Sequence, residues 1–508
     1  NYAGGFVGRS GVGSLVDAKG LDILGLGAVK VGNLVSIGNL TSVDIKNSTV
    51  TGKDLIVSAT GNTRGNDYFA GGFVSENNSG KIADSSVTGL NRVFTQTTGY
   101  FWGDEDKLAA SYAGGFAARS QVGGLANVGA DGDTVGGLLG EDGLVEIDGL
   151  LDAVGYLIPS YTNCYVEFTD RDFDEAQVSA AVAGGFIGEM QGGTVDNRGL
   201  NAENKEYAVR NAEYITGTYY AGGFAGKILS GGLAQSDGLS LLGTRIDVSG
   251  LLKLIPTYIP KVYSAGVQSS VDGLKVYASE SDGKDVDSGS AGGYAGLTSG
   301  ARISNSIVKE LATKSERTDE APQENDYAVK APRFAGGYVG KAEIGSAAAV
   351  GQSLDVLEAI EIGSLTSAIA AVESKFEGCD VYGKAGGFNV NSTEGSAGGY
   401  AGVVEGSNFN DSDSYNFEYI EGVTSAGGYA GTIQPGDVAS LAESTEVLKG
   451  LLAVENLLQV AQTFIARIWN SETTAVPCGG YVIATGTSDG ANLRGLAGGY
   501  AGYNLGGQ

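Results

Sequence analysis

A short motif, Ala-Gly-Gly followed by an aromatic residue, recurs from residues 3–6 to residues 497–500 of this 508-residue chain. In most copies a small residue and a further Gly follow the aromatic residue. A motif repeated this often indicates a repeat architecture, in which each copy marks one structural unit. The aromatic residues are Phe6, Phe73, Phe116, Phe186, Phe224, Tyr294, Tyr338, Phe388, Tyr400, Tyr429, Tyr481 (after Cys-Gly-Gly) and Tyr500.

The composition of the motif favours a solenoid. Small residues let neighbouring backbones approach closely, and Gly tolerates the backbone angles of a sharp corner. One aromatic ring per copy can stack on its equivalents in adjacent turns of the solenoid. We therefore predict that these twelve aromatic residues line the interior as a ladder. No phosphate-binding Lys accompanies the glycines, so they do not indicate a nucleotide site.

The spacing of the motif shows a second level of order. From Phe6 to Tyr338 successive aromatic residues are separated by 67, 43, 70, 38, 70 and 44 residues. Long and short gaps alternate, so the larger repeat is a pair of motifs of about 110 residues. After residue 380 the pattern is compressed. The predicted large repeats are 1–110, 111–218, 219–332, 333–424 and 425–508.

Short β-like segments follow the motif. Residues 71–89 and 292–308 each contain a Gly-aromatic strand, a Gly-containing turn and a strand with alternating apolar and polar residues. This pattern resembles the GLUG motif of bacterial surface proteins, in which a Gly-rich start leads through a turn to an Ile-Ser-Asn-Ser-like strand. The resemblance implies a secreted, β-helix-like repeat of a bacterial surface, and it implies no enzymatic activity.

The predicted fold is an all-β solenoid, a right-handed parallel β-helix that runs through residues 1–508 with helical or irregular inserts on its flank. Gly supplies 85 residues without a Gly-X-Y period, which excludes collagen. A hydrophobic content of 42% is too high for a disordered linker. Because both ends fall within a motif and no leader is visible, we expect a segment of a larger extracellular protein.

The inserts differ along the chain. Residues 11–40 and 121–155 are rich in Gly and Leu, whereas 347–375 and 438–469 carry apolar residues at helical spacing. An apolar helical face must be covered either by the flank of the solenoid or by a partner. No segment has the composition of a membrane span.

The charge of the chain limits its partners. The formal net charge is −27 and there is no His. Nucleic acids and anionic membrane surfaces are therefore not expected partners. The acidity indicates either solubility of a long surface or calcium binding. Asp131 and Asp133, in a Gly-rich turn, are the calcium candidates; a solvated turn is the alternative, and no other cofactor is predicted.

The three cysteines, Cys164, Cys379 and Cys478, lie at similar distances after a motif. They are predicted to occupy one column of the repeat as buried small hydrophobic residues. Several coils should separate them, which is too far for a disulfide.

The lack of His excludes Ser-His-Asp and Cys-His catalysis. Carboxylates in 104–106 and 170–175 are candidates for glycan chemistry, but charge runs are usually solvated, and we expect no enzyme. The predicted function is a structural or adhesive protein that forms a stalk or fibre on a bacterial surface. Its partners would be copies of itself, a host or neighbouring cell surface, or glycans. The alternatives are a glycan-binding or polysaccharide-cleaving β-helix and a self-assembling extracellular filament.

Overall fold

The computed structural model describes residues 1–11, 43–61, 67–97, 111–122, 155, 157–169, 175–200, 207–231, 256–282, 285–311, 326–345, 372–436, 464–486 and 494–508. These residues form a parallel β-helix, which confirms the predicted fold class. Three sheets run along it, and the described strands within each sheet pair in parallel, with register shifts in some pairs of the widest sheet.

Two of the sheets contribute one short strand per turn of the solenoid. In the described residues, sheet B has ten strands: Val7–Gly11, Val74–Asn78, Ala117–Gln121, Ile187–Gln191, Ala225–Leu229, Ala295–Ser299, Val339–Glu343, Ala401–Glu405, Ala430–Gln434 and Ala501–Asn504. Sheet C has nine: Asp44–Lys46, Lys81–Ala83, Ser160–Thr162, Thr194–Asp196, Lys261–Tyr263, Arg302–Ser304, Lys375–Glu377, Asn408–Asn410 and Arg467–Trp469.

Sheet A is wider and contains 23 described strands, some of which extend across two segments of one turn. They are Tyr2–Gly4, Thr49–Gly61, Tyr68–Gly71, Ser86–Thr97, Ser111–Gly114, Tyr165–Phe168, Val178–Gly184, Tyr207–Ala212, Tyr214–Gly222, Gly266–Ser269, Lys275–Ala278, Ser290–Gly292, Val308–Leu311, Val329–Ala331, Phe334–Gly336, Val381–Gly383, Phe388–Ser392, Ser396–Gly398, Ser414–Gly422, Ser425–Gly427, Thr473–Ala475, Tyr481–Ala484 and Leu496–Gly498.

Each turn of the solenoid, or coil, starts at the motif. A sheet A strand ends at Ala-Gly, the second Gly and the aromatic residue make a corner, and the sheet B strand follows. We number the coils 1 to 10 by their aromatic residues, which are Phe6, Phe73, Phe116, Phe186, Phe224, Tyr294, Tyr338, Tyr400, Tyr429 and Tyr500.

The glycines at the corner are required because the backbones touch there. A Cβ added to Gly71 would lie 1.9 Å from the carbonyl oxygen of Val74. A Cβ added to Gly72 would lie 1.9 Å from the carbonyl oxygen of Gly115 in the next coil. Backbone atoms cannot move aside as a flexible side chain can, so only Gly fits these two positions.

The aromatic residue joins adjacent coils through its backbone as well as its ring. The carbonyl of Phe116 accepts hydrogen bonds from the N–H groups of Phe73 and Val74, at 2.9 and 3.0 Å. The same pair of bonds recurs at every step from coil 1 to coil 10. This fixes the register of the corner from one coil to the next.

The ten coil aromatics form one continuous stack. Neighbouring ring centroids lie 4.8–5.4 Å apart, with interplanar angles of 2–17°. This distance is close to the spacing of hydrogen-bonded strands, so stacking and strand pairing require the same geometry. Rings inside the stack are fully buried, whereas Phe6 and Tyr500 in the terminal coils are 51% and 39% exposed.

Two of the twelve predicted ladder residues lie elsewhere, which corrects the prediction. Phe388 is buried, but it begins a sheet A strand and pairs with Phe417. Tyr481 is 42% exposed and pairs with Tyr419 on sheet A. Their Gly-Gly dipeptides therefore do not make the corner between sheets A and B.

From coil 6 onwards the stacked aromatic residue is Tyr, and its hydroxyl crosses the core to a backbone carbonyl. The Tyr338 hydroxyl donates to the carbonyl of Ser306 at 2.7 Å, and that of Tyr400 donates to Cys379 at 2.7 Å. Burial first, and then the nearby Cys379, raises the pKa of both phenols well above the ordinary value. The hydroxyls therefore stay protonated and act as fixed donors.

Apolar columns fill the remaining interior. In sheet A, Val93, Val178, Ile215, Val276 and Val329 stack in register. In sheet C the central residue of each strand points inward, as Val262, Ile303 and Phe376 do. These columns and the aromatic stack form one hydrophobic core that extends from the first coils to the last.

The connection between sheets B and C explains the alternating motif spacing. Coils 2, 4, 6 and 8 close with short turns, at residues 79–80, 192–193, 300–301 and 406–407. Coils 1, 3, 5, 7 and 9 instead have long connections, and the segments 12–42, 123–154, 232–255, 346–371 and 437–463 lie in them, outside the described residues. The large repeat is thus one long coil followed by one short coil.

The predicted helical inserts 347–375 and 438–469 fall mostly outside the described residues. Of their described ends, residue 372 is helical, whereas Lys375–Glu377 and Arg467–Trp469 are strands. Ile468, one of the apolar residues at helical spacing in 438–469, lies in the strand Arg467–Trp469 and packs against the core. The prediction was wrong there because a strand's inward residue also satisfies a helical spacing over so short a length.

Removal of one stacked ring tests this core. We expect Phe116→Ala to lower the free energy of unfolding by ~3–5 kcal/mol, because it leaves a cavity between two buried rings. Phe6→Ala is the matched control: its ring has a stacking partner on one side only, and it should cost less than ~2 kcal/mol. Urea unfolding measures both, and equal losses would contradict a buried stack.

Candidate binding face on sheet C

The predicted calcium and acidic sites are largely outside the described residues. Asp131 and Asp133 are not described, nor is the acidic run 104–106. Of the run 170–175 only Glu175 is described, and it is exposed and paired with Arg92. Within the described part of the chain no group of three or more His, Cys, Asp or Glu side chains is arranged to hold a metal ion.

Two of the three cysteines share a column, as expected, and the third does not. Cys164 and Cys379 are fully buried two residues after the end of a sheet C strand, where other coils carry Ser85 or Ser412. Each thiol donates to the carbonyl two residues earlier, as the Ser hydroxyls do. Cys478 is exposed, in a turn before Tyr481, so its predicted burial is wrong. None of the three is joined in a disulfide.

A buried charge cluster lies on the outer side of sheet B. The ammonium of Lys341 lies 2.6 Å from Asp287, 2.7 Å from Glu343 and 3.1 Å from Glu405. Burial opposes the charge on Lys341, but the three carboxylates outweigh it and hold its pKa above the ordinary value. Burial raises the pKa of Glu343, although Lys341 opposes that rise. The contacts are internal to the cluster, so its role is structural.

A different charge pattern follows the outer side of sheet C. Residues at the first position of each strand point outward and stand in register from coil 5 to coil 9. We call this set the cationic row: Lys261, Arg302, Lys375 and Arg467, with Asn408 between the last two. The strand spacing places neighbours about 4.8 Å apart at their backbones. Basic residues are thus aligned in a chain with 59 acidic and 32 basic residues.

The cationic row repels itself. Two like charges near the strand spacing cost about 1 kcal/mol in water and more near a protein surface. Burial and then Arg302 lower the pKa of Lys261, while the Nε group of Arg302 is buried without a hydrogen-bond partner. Glu373 partly compensates, at 3.2 Å from Lys375 and 3.9 Å from Arg467. The buried carboxylate of Glu373 is therefore shared between Lys375 and Arg467.

A hollow of about 280 Å³ opens on the same face, beside the cationic row. The indole of Trp469 is 52% exposed at its edge, and the amides of Asn408 and Asn410 lie along it. Lys375, Phe376 and Glu377 complete the lining. A second hollow, of about 210 Å³ on sheet A, is lined by small hydroxyl-bearing and backbone groups, with no aromatic or charged side chain.

The sheet C hollow has the groups that recognise a sugar. An exposed indole offers an apolar surface on which a sugar ring can stack, and the amides can bond its hydroxyls. The sequence contained this signal in the strands Lys-Phe-Glu, Asn-Phe-Asn and Arg-Ile-Trp, but the face emerges only when they are aligned across connections of very different length.

The reactivity of the three thiols tests whether Cys164 and Cys379 lie in the interior. Burial raises the pKa of Cys164 to about 12 and that of Cys379 to about 11, so neither supplies a reactive thiolate at neutral pH. We expect a thiol reagent to label Cys478 alone in the native protein and all three cysteines after unfolding. Mass spectrometry of labelled peptides measures this, and native labelling of Cys164 or Cys379 would contradict the assignment.

The Lys341 cluster predicts a pH-dependent variant. Lys341→Met leaves three partly buried carboxylates without their cation and should cost up to ~3–5 kcal/mol near neutral pH. The pKa of Glu343, which burial already raises, would then rise further, and a raised carboxyl pKa gives stability that is lost as pH increases through it. Urea unfolding should therefore show a smaller deficit at about pH 5 than at about pH 8. Lys309→Met, at an exposed sheet A position, is the control and should cost little at either pH.

In the described part of the chain no helix is long and apolar enough to cross a membrane. Comparison with family models, with curated proteins and with solved structures finds no match to this chain.

Proposed function

We propose that this chain is an extracellular structural and adhesive repeat segment of a bacterial surface protein, in which a rigid β-helix holds binding surfaces at fixed positions. The observation that carries the proposal is the alternation of long and short coils. Long connections leave at the corner between sheets B and C in every second coil, and tight turns separate them.

The alternation has a geometric consequence. Two coils span about 10 Å along the axis, which is the width of one helix or one sheet layer. Successive long connections therefore leave the corner between sheets B and C at points about 10 Å apart along the axis. A continuous core alone does not require the long connections to be separated by short coils. A protein that displays several segments in a row along its axis does.

The same core packing could continue through additional coils. Each coil contacts mainly its neighbours through in-register columns, so stability is approximately a sum of repeated terms. The ten coils extend about 43 Å along the axis, taken as nine steps of the strand spacing. Further coils of the same kind would extend it at constant cross-section, which suits a stalk or fibre.

Glycan binding is the second candidate function, and the sheet C hollow favours it. Trp469 remains exposed although it adjoins a well-packed core, and amide and charged groups surround it. Binding at this hollow is compatible with an adhesive role because the face lies on a rigid sheet rather than on a loop.

Adhesion to cells tests the proposal. The purified 508-residue chain should bind bacterial or host cells, and Trp469→Ala should weaken binding by about tenfold or more, because exposed Trp residues dominate contact surfaces. Tyr481→Ala is the matched control, an exposed aromatic residue of the same coil on sheet A, and it should change binding less than about twofold.

Two results would overturn the proposal. One is the absence of binding to every cell type tested by a folded chain. The other is depolymerisation of a polysaccharide by the purified chain that is lost on neutralising one or two carboxylates, which would make the protein an enzyme.

A further inference from the structure

We infer that the cationic row on sheet C is a binding site for a linear polysaccharide with a carboxylate on its sugar residues, laid parallel to the solenoid axis. The inference rests on the adhesive function proposed above and names the chemical class of its ligand. It is carried by Lys261, Arg302 and Lys375 in successive register positions and by Arg467 one coil beyond Asn408, with the Trp469 hollow beside them.

The charge pattern of the row points to a ligand. Three cations occupy consecutive coils 5, 6 and 7, where alternation with acids would remove their repulsion. Such alternation does occur on sheet B, where Arg9 pairs with Glu76 at 2.8 Å and Arg119 with Glu189 at 3.2 Å. Among the described residues of sheet C, the Nε of Arg302 is buried without a hydrogen-bond partner, and Lys375 and Arg467 share the carboxylate of Glu373.

The geometry of the row selects a thin, extended anion. Its cations are separated by the strand spacing and aligned along one line, so a matching ligand carries negative charges at a similar repeat along one strand. A uronic acid polymer has one carboxylate per sugar residue and a sugar ring of comparable length. Arg302 offers a guanidinium that suits a carboxylate, and Lys375 is a point charge with its side chain 41% exposed.

The neighbouring groups favour a sugar over a nucleic acid. Trp469, Asn408 and Asn410 provide ring stacking and hydroxyl contacts within reach of the same polymer. Duplex DNA carries about one charge per 1.7 Å and needs a wide basic surface. The chain as a whole has a net charge of −27, which repels a duplex of such high charge density.

The test uses oligomers of galacturonic acid and the same oligomers with their carboxyl groups methyl-esterified. We expect the full chain to bind the acid form, with log K falling against log salt at a slope of about −2, as for about three contacts. The esterified form should bind at least about tenfold more weakly, since it keeps the sugar rings and loses the charges. Isothermal titration calorimetry at several salt concentrations measures both.

Single substitutions locate the site. Arg302→Gln and Lys375→Gln should each weaken binding about fivefold at low salt and make the salt slope shallower. Lys309→Gln removes the same charge from an exposed sheet A position of coil 6 and should leave binding unchanged. Glu377→Gln, on the rim of the hollow, should strengthen binding because it removes a carboxylate that faces the ligand. If Arg302→Gln fails to fold, the exposed Lys375 and Glu377 positions still decide the question.

Three outcomes would overturn the inference: no binding of the acid form at low salt, equal weakening by Lys309→Gln, or equally tight binding of duplex DNA. The proposed adhesive function is judged separately, because cell binding that depends on Trp469 can persist when uronate oligomers do not bind. Loss of cell binding together with retained oligomer binding would contradict the proposed function and leave the ligand assignment intact.

Discussion

The structure depends on one close approach, that of the glycine backbone at the corner between sheets A and B. Because the corner glycine has no Cβ, it can lie against the backbone of the next coil, and the aromatic carbonyl that follows can accept two N–H groups. The ring then falls directly over the ring of the next coil. Strand pairing and ring stacking thus share one repeat distance, and each reinforces the other.

This arrangement separates the requirements of the core from those of the surface. Inward positions need only an apolar or small residue in register, and their columns persist through coils whose connections differ by tens of residues. Outward positions are free to vary. On sheet B they form ion pairs that satisfy one another, and on sheet C they collect like charges. Repulsion within the cationic row lowers the local stability of sheet C. In return, the rigid sheet holds the cations in place for an anionic ligand.

The sequence predicted the fold class because the motif reports the corner directly. It did not distinguish the ten motif copies that form corners from the two that do not, at Phe388 and Tyr481, since these also follow Gly-Gly. The difference lies two residues after the aromatic, where the ten coils carry Gly, Ala or Ser and the other two copies carry Val390 and Ile483. That position packs against the backbone of a neighbouring coil, as Gly188 does near the Ala118 carbonyl, so it must be small. The binding face was not predictable in the same way, because its residues become neighbours only through the register.

Distances between spin labels test the central claim, that every motif aromatic in the stack opens one coil of a single continuous β-helix. Lys46, Glu377 and Trp469 are exposed at equivalent positions of sheet C in coils 1, 7 and 9. With Cys478 replaced by Ser, labels at residues 46 and 377 should lie about 29 Å apart, and labels at 46 and 469 about 38 Å apart. These are six and eight steps of one strand spacing. Broad distributions, or distances that do not increase in proportion to the number of coils, would contradict a continuous solenoid.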